Sequence, residues 1–267
     1  MSGTLGRDST LIRALRPTYE WMLNVTTGGR GVLQTLNGRE RFRVDPRQRQ
    51  HFPETYDPCV CDHLRKRVKP GSVCLDIGAH VGIYALCLAE WAGPSGHVFA
   101  FEPNPRTRDV LRKHVALNRF STRITVLSEA VSDAPGHATL IAAGREGFSR
   151  LGKPNPAYPE GTPVVVPVTT VDAFCRHAEI APDWIVMDVE GYEVAALAGA
   201  RDTILAQHGA VGLVVELHPN VWEASGTSRA RLESLLTELS LRPVPLTGQK
   251  DPLGEYGIVA LEPAMGI

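Results

Sequence analysis

The sequence predicts an α/β fold, a mostly parallel sheet with helices on both faces, preceded by an N-terminal hairpin and helix extension. Three observations carry that expectation. From residue 72 onward, apolar runs of strand length alternate with helix-length segments. The runs at 72–77, 185–188 and 211–217 are apolar nearly throughout, the pattern of strands covered on both faces. The first of them ends in an acid and a glycine-containing turn that launches a helix, which is where open α/β sheets bind ligands.

Residues 1–30 mix polar and apolar residues and read as a short helix or a loosely held arm. Asn37-Gly38 then separates two strand-like runs, 32–36 and 39–44. That dipeptide predicts a hairpin, because both central positions of the turn take positive φ. In the second run Arg39, Arg41 and Arg43 share one face, and Phe42 and Val44 the other. A half-buried strand with a solvated arginine face is favoured over a phosphate-recognising stripe. Asp57-Pro58 opens a helix through 67, with Asp57 as its cap and Pro58 at its first position. The extension is thus 1–55 and the main domain 56–267.

Strands are expected at 72–77, 97–101 and 124–127, with helices at 83–91 and 105–118 between them. Extra strands at 136–141 and 164–168 flank a loop rich in Gly and Pro. A helix at 170–177, a strand at 185–188, a helix at 193–205 and a strand at 211–217 continue the alternation. The tail adds a helix at 231–239 and an extended run at 257–261.

Composition narrows the function. The 267 residues carry a formal charge of −1, with 43% hydrophobic and 21% charged residues. Such a balance argues against a chain built to coat nucleic acid or an anionic membrane. Five cysteines, an odd and low number, do not make a secreted disulfide framework. The N-terminus lacks the apolar core of a signal peptide, and no run is long enough to span a membrane, so a soluble protein of the cytoplasm is expected. Cys59-x-Cys61 with His63 reads as ordinary buried thiols, since positions two apart on a helix face different directions. No Gly-x-Ser-x-Gly elbow or phosphate-binding P-loop occurs.

The chemistry gathers at strand tips. Asp76 ends the first central strand, and Gly78 lets a ligand approach the backbone. Glu102 ends the second, where a carboxylate accepts hydrogen bonds from both hydroxyls of a ribose. A dinucleotide site reads G-x-G-x-x-G; here His80 stands in place of the middle glycine, and Asp76 would repel a pyrophosphate. S-adenosylmethionine, with its ribose, sulfonium and ammonium, fits better; a capped turn without a ligand is the plain alternative.

The chain resembles the FkbM-type methyltransferases, S-adenosylmethionine-dependent enzymes on a Rossmann-like class I fold. The likeness rests on DIGAHVG (76–82), FEPNP (101–105), ALN (116–118), SEAVSD (128–133), TTVD (169–172), MDVEGYE (187–193) and VVELHP (214–219). It implies that Asp76, Gly78, Ala79 and His80 border the donor's methionine portion and Glu102 its ribose. Ser128, Glu129 and Ala130 would border the adenine, and Asp188, Glu190 and Glu193 would face donor and acceptor. Val186 stands where the family often has Lys, and His80 where Asn is common.

Methyl transfer needs an acceptor stripped of its proton by a base, or by a metal that lowers its pKa. Asp188, Glu216 and His218 are the candidate catalytic residues; Asp188 is also expected to touch the donor. Glu216 and His218 share one face of a strand, and a histidine near pKa 6.5 accepts a proton at neutral pH. A purely structural histidine, and a carboxylate that merely fixes the Glu190-Gly191 turn, are the alternatives. Glu190, Ser149 and Arg150 are candidate acceptor contacts, the latter two on an irregular loop, 144–163, that would close over the acceptor with Phe148 and Tyr158. A divalent metal fits the residue types, but a metal-free base is expected.

A small-molecule O-methyltransferase acting on a sugar, polyketide or peptide-derived hydroxyl is therefore the first reading. An NAD-dependent oxidoreductase and a non-catalytic cofactor- or RNA-binding module are the others. Oligomeric state is not legible.

Overall fold

The computed structural model describes residues 18–23, 25–142, 149–152 and 161–264. These residues form three sheets. The first is the hairpin of β1 (Val32–Leu36) and β2 (Glu40–Val44), with Leu36 opposite Glu40. Asn37 and Gly38 have φ of 50° and 69°, as the turn requires. Arg41 and Arg43 are exposed while Phe42 and Val44 are buried, so the arginines form a solvated face.

The main sheet contains β3 (Val73–Ile77), β4 (His97–Phe101), β5 (Ile124–Leu127), β10 (Trp184–Met187), β11 (Gly212–Leu217), β12 (Leu241–Pro245) and β13 (Gly257–Pro263). Their order is β12-β13-β11-β10-β3-β4-β5. The pairs among β5, β4, β3, β10 and β11 are parallel, and β13 runs antiparallel between β11 and β12. From β3 the chain steps to β4 and β5, then crosses back to β10 on the other side. That reversal leaves a crevice beyond the carboxyl ends of β3 and β10. Pro243 and Pro245 lie in β12, the outer edge strand, where missing N–H donors do least harm.

Two apolar cores sandwich this sheet. Cys74, Val98, Val186 and Val214 face one, with α2 (Ile83–Ala92) and the hairpin's Phe42 and Val44. Leu75, Ile77, Ile185 and Val215 face the other, with α4 (Val171–Ala178), α5 (Glu193–Ala198), α6 (Arg201–Ala206) and α7 (Arg229–Glu238) supplying its cover. Helix α2 is buried nearly all round, which explains its lack of a polar stripe. The hairpin is clasped to α3 (Pro105–Leu117). Arg43 N–H donates to Asn118 Oδ1 and Asn118 Nδ2 returns a bond to the Arg43 carbonyl, both 2.8 Å. The third sheet holds β6 (Ala130–Val131), β7 (Gly136–Ala142), β8 (Arg150–Leu151) and β9 (Thr162–Thr169), in the order β6-β9-β7-β8.

Several expectations need correction. The helix after Pro58, α1 (Pro58–Arg65), ends before 67, and Asp57 holds its N-cap position without a capping bond from the side chain. With φ of 37°, Asp57 turns its carboxylate to accept from Tyr84 Oη at 3.0 Å. The helix expected at 193–205 is two, α5 and α6. Asp172 divides them: its amide takes the Gly199 carbonyl, and its carboxylate accepts from Asp202 and Thr203 N–H at 3.0 and 2.7 Å, starting a new helix. Cys59 is exposed rather than buried. Strand β12 was not expected, its two prolines masking it. Among the described residues no helix is long and apolar enough to cross a membrane.

Candidate active site

A cavity of about 460 Å³ opens at the carboxyl ends of β3, β4, β10 and β11. It lies within the range typical of small-molecule sites. Gly78, Ala79, His80, Glu102, Glu129, Ala130, Ser149, Asp188, Glu190 and Glu216 line it. Sequence reasoning missed Gln50, His51, Tyr56, Asp57, Tyr84, Tyr192 and Tyr256, which close its walls. Gln50 and His51 come from the 3₁₀ turn after the hairpin, so the N-terminal segment contributes to the site. Phe148 and Tyr158 lie outside the described residues, as does the side chain of Arg150.

One end is organised by main chain. Glu102 is 6% exposed, and its two oxygens accept from His80 N–H and Asn104 N–H, each at 2.8 Å. Burial pushes its pKa up to about 7, against the pull of those amides and of Arg108. The carboxylate is therefore held in one orientation at the cavity wall, suited to the hydroxyl pair of a ribose. Gly78, with φ of 85°, lines the cavity and is required for a second reason as well. A Cβ there would lie 1.7 Å from the Asp188 carbonyl oxygen, so glycine lets two strand ends meet. His80, also at positive φ, is kept neutral: burial, then His51 and His114, bring its pKa down to about 4.

Two expected donor contacts lie off the cavity. Asp76 is 2% exposed, on the α2 side of the sheet by strand alternation, and accepts from the Ala85 amide. Burial pushes its pKa up to about 7, and its Oδ2 has no hydrogen-bond partner. It anchors the start of α2 beneath the turn. Ser128 is not among the lining residues; its amide and hydroxyl both donate to Glu129 Oε2.

The other end is a group of carboxylates, Asp188, Glu190 and Glu216, backed by the imidazole of His218, which is buried behind them and is not itself part of the cavity wall. His218 follows β11, and its Nδ1–H donates to Glu193 Oε1 at 2.7 Å. Its Nε2 stands 3.7 Å from Glu190 Oε2 and 3.9 Å from both Asp188 Oδ1 and Glu216 Oε1. Glu193 does not face the cavity: fully buried, it also accepts from Trp222 Nε1 at 2.9 Å and Gly191 N–H at 2.6 Å. Burial lowers the His218 pKa, but the Glu193 hydrogen bond and charge, with Asp188 and Glu190, override this and carry it up to about 9. The expectation of an ordinary histidine is thereby corrected. Asp188 sits beyond β10, its amide donating to the Ile77 carbonyl. Burial, then the charge of Glu216, raises its carboxyl well above the usual range, and its Oδ1 is enclosed without a hydrogen-bond partner. Glu216 is raised by burial, while its bond from Tyr256 Oη works against that.

The sequence matches the family described as the methyltransferase FkbM domain over residues 76–242, more than half of the chain. A hexuronic acid methyltransferase, AglP of Haloferax volcanii, is 26% identical over 188 residues, 66% of this chain and 70% of that protein. The methyltransferase sdnD of Sordaria araneosa is 27% identical over 192 residues, 61% of this chain and 71% of that protein. Among solved structures, a methyltransferase FkbM from Methylobacillus flagellatus aligns with a TM-score of 0.48 and 19% identity. The alignment covers 73% of this chain and 44% of that one.

Proposed function

The chain belongs to the FkbM methyltransferase family, and from that premise we propose that it methylates a hydroxyl oxygen of a small molecule with S-adenosylmethionine as donor. One observation carries the reading. A single cavity has a ribose-type carboxylate, Glu102, near one end and a set of potential bases, Asp188 and Glu216, at the other.

On this reading Glu102 holds the donor's ribose, and the turn at Gly78, Ala79 and His80 borders its methionine portion. Glu129 and Ala130 border the adenine. Bound there, the donor supplies a methyl carbon on a sulfonium sulfur. Asp76 acts from below, by fixing the turn. Aligning two reactants in one crevice contributes about 7–11 kcal/mol to such a displacement.

The acceptor hydroxyl loses its proton to Asp188 or Glu216. Both carboxyls are raised, so each takes a proton more readily than an exposed acid. His218 is charged at neutral pH, so it balances these carboxylates and does not act as the first proton acceptor. Glu190 and Ser149 contact the acceptor. Several carboxylates at this end disfavour an acceptor with its own negative charge. The relative named a hexuronic acid methyltransferase supports a sugar-derived molecule, and a cytoplasmic setting suits the free cysteines.

The test is to supply donor carrying a deuterated methyl group with a panel of neutral hexosides, and to read the products by mass spectrometry and NMR. Label on oxygen is expected. Label on nitrogen alone, in a panel that includes amino sugars, contradicts the reading.

A further inference from the structure

His218 is 8% exposed at its side chain, and Glu193 fixes its Nδ1, so its Nε2 has one direction in which to point. That direction is the space bounded by Asp188, Glu190 and Glu216. An imidazole N–H paired directly with a carboxylate ordinarily closes to about 2.7–2.9 Å. Here the three nearest oxygens stand off at 3.7, 3.9 and 3.9 Å. Direct pairing does not account for that spacing. The spacing falls within the span open to ligands of a small divalent ion, where bonds of about 2.1 Å put neighbours roughly 3 Å apart and opposite ligands roughly 4.2 Å apart. One oxygen each of Asp188 and Glu190 and the His218 nitrogen all lie within 4.8 Å of one another.

Two independent features point the same way. Asp188 Oδ1 is enclosed yet accepts no hydrogen bond, a costly state for a carboxylate oxygen unless a cation is its partner. Glu193 gives His218 the carboxylate–imidazole arrangement by which metal-bound histidines are oriented: Nδ1–H on an acid, and Nε2 turned to the carboxylates, where a bound cation takes the place of its proton.

We propose that Asp188, Glu190 and Nε2 of His218 bind one divalent cation of the Mg²⁺/Mn²⁺ class at the acceptor end of the cavity. Two oxygens and one nitrogen leave positions for water and for an acceptor oxygen, and oxygen-rich sets suit these ions. Binding of the ion is independent of the function proposed above. Its consequence, an acceptor hydroxyl held and made more acidic, rests on that function. Glu193 is a positioning residue that acts through His218. This departs from the metal-free base expected from sequence.

The experiment uses the full chain, stripped with a chelator and titrated with MnCl₂, following loss of the free Mn²⁺ resonance. One ion per chain is expected, with spin-echo modulation from one directly bound imidazole nitrogen. Glu190→Gln should weaken uptake at least about tenfold, and Glu193→Gln by about 10–100-fold with loss of the nitrogen signal. No uptake at millimolar Mn²⁺ overturns the proposal, and this result needs no variant. Uptake unaltered by Glu190→Gln and without nitrogen modulation also overturns it. Calorimetry with S-adenosylhomocysteine on the same samples separates the two readings. Donor product bound without Mn²⁺ overturns the cation site alone; Mn²⁺ bound without it supports the site and contradicts the donor assignment.

Discussion

The two ends of the cavity are built by different means. Near Glu102 the groups are set by main chain: amides of His80 and Asn104 fix the carboxylate, and Gly78 abuts the Asp188 carbonyl. Around His218 they are set by side chains brought from β10, α5 and β11, with like charges held together by burial and one imidazole. Two buried histidines make the same contrast. His114 accepts from Asp45 N–H at 3.0 Å and donates to the Val81 carbonyl at 2.8 Å, so both nitrogens are satisfied in the neutral ring. Burial lowers its pKa, whereas carboxylates carry that of His218 up to about 9. A backbone-defined end is held in one shape, whereas a charge-defined end depends on the protonation of its members.

Substitutions can break that contrast. Asp188→Asn should lower kcat by about 10²–10⁴-fold, the worth of a general base, while donor affinity changes far less. A dominant effect on donor binding would move Asp188 to the other end. Glu193→Ala strands the His218, Trp222 and Gly191 donors and should destabilise folding by about 3–5 kcal/mol in urea unfolding. Glu102→Ala should weaken donor binding by roughly 1.5–3 kcal/mol, with kcat at saturation little altered. Arg41→Ala, on the solvated face of the hairpin, should shift stability by less than about 0.5 kcal/mol and leave activity unchanged.

The pH dependence sharpens the comparison. Burial raises the Glu102 carboxyl from 4.5 to about 7, so its stabilising contribution is complete at acid pH and fades as pH rises through about 7. Ribose hydroxyls favour the ionised form. Donor affinity should therefore increase as pH rises through about 7, and Glu102→Gln should flatten that profile.

The Glu102 end of the cavity was largely legible in the sequence because its parts are local. Strand, acid, glycine turn and helix lie within residues 73–92, and Glu102 follows at the next strand tip. The same locality hid two details: alternation turns Asp76 to the α2 face of the sheet, and Gly78 also serves strand packing. The residues at the His218 end were named one by one, but their arrangement was not. Nothing in a strand pattern tells that Glu193, at a helix start, turns inward to His218, 25 residues away. Nor did it tell that Tyr256, beside β13, reaches Glu216. Helices α5 and α6 were read as one because the Asp172 carboxylate that separates them comes from another element.

Isothermal titration of the chain with S-adenosylhomocysteine and, separately, with NAD tests the central claim most directly. Saturable binding of the thioether nucleoside, weakened by Glu102→Ala, with no heat from NAD, is the expected result. Binding of NAD alone would contradict the account.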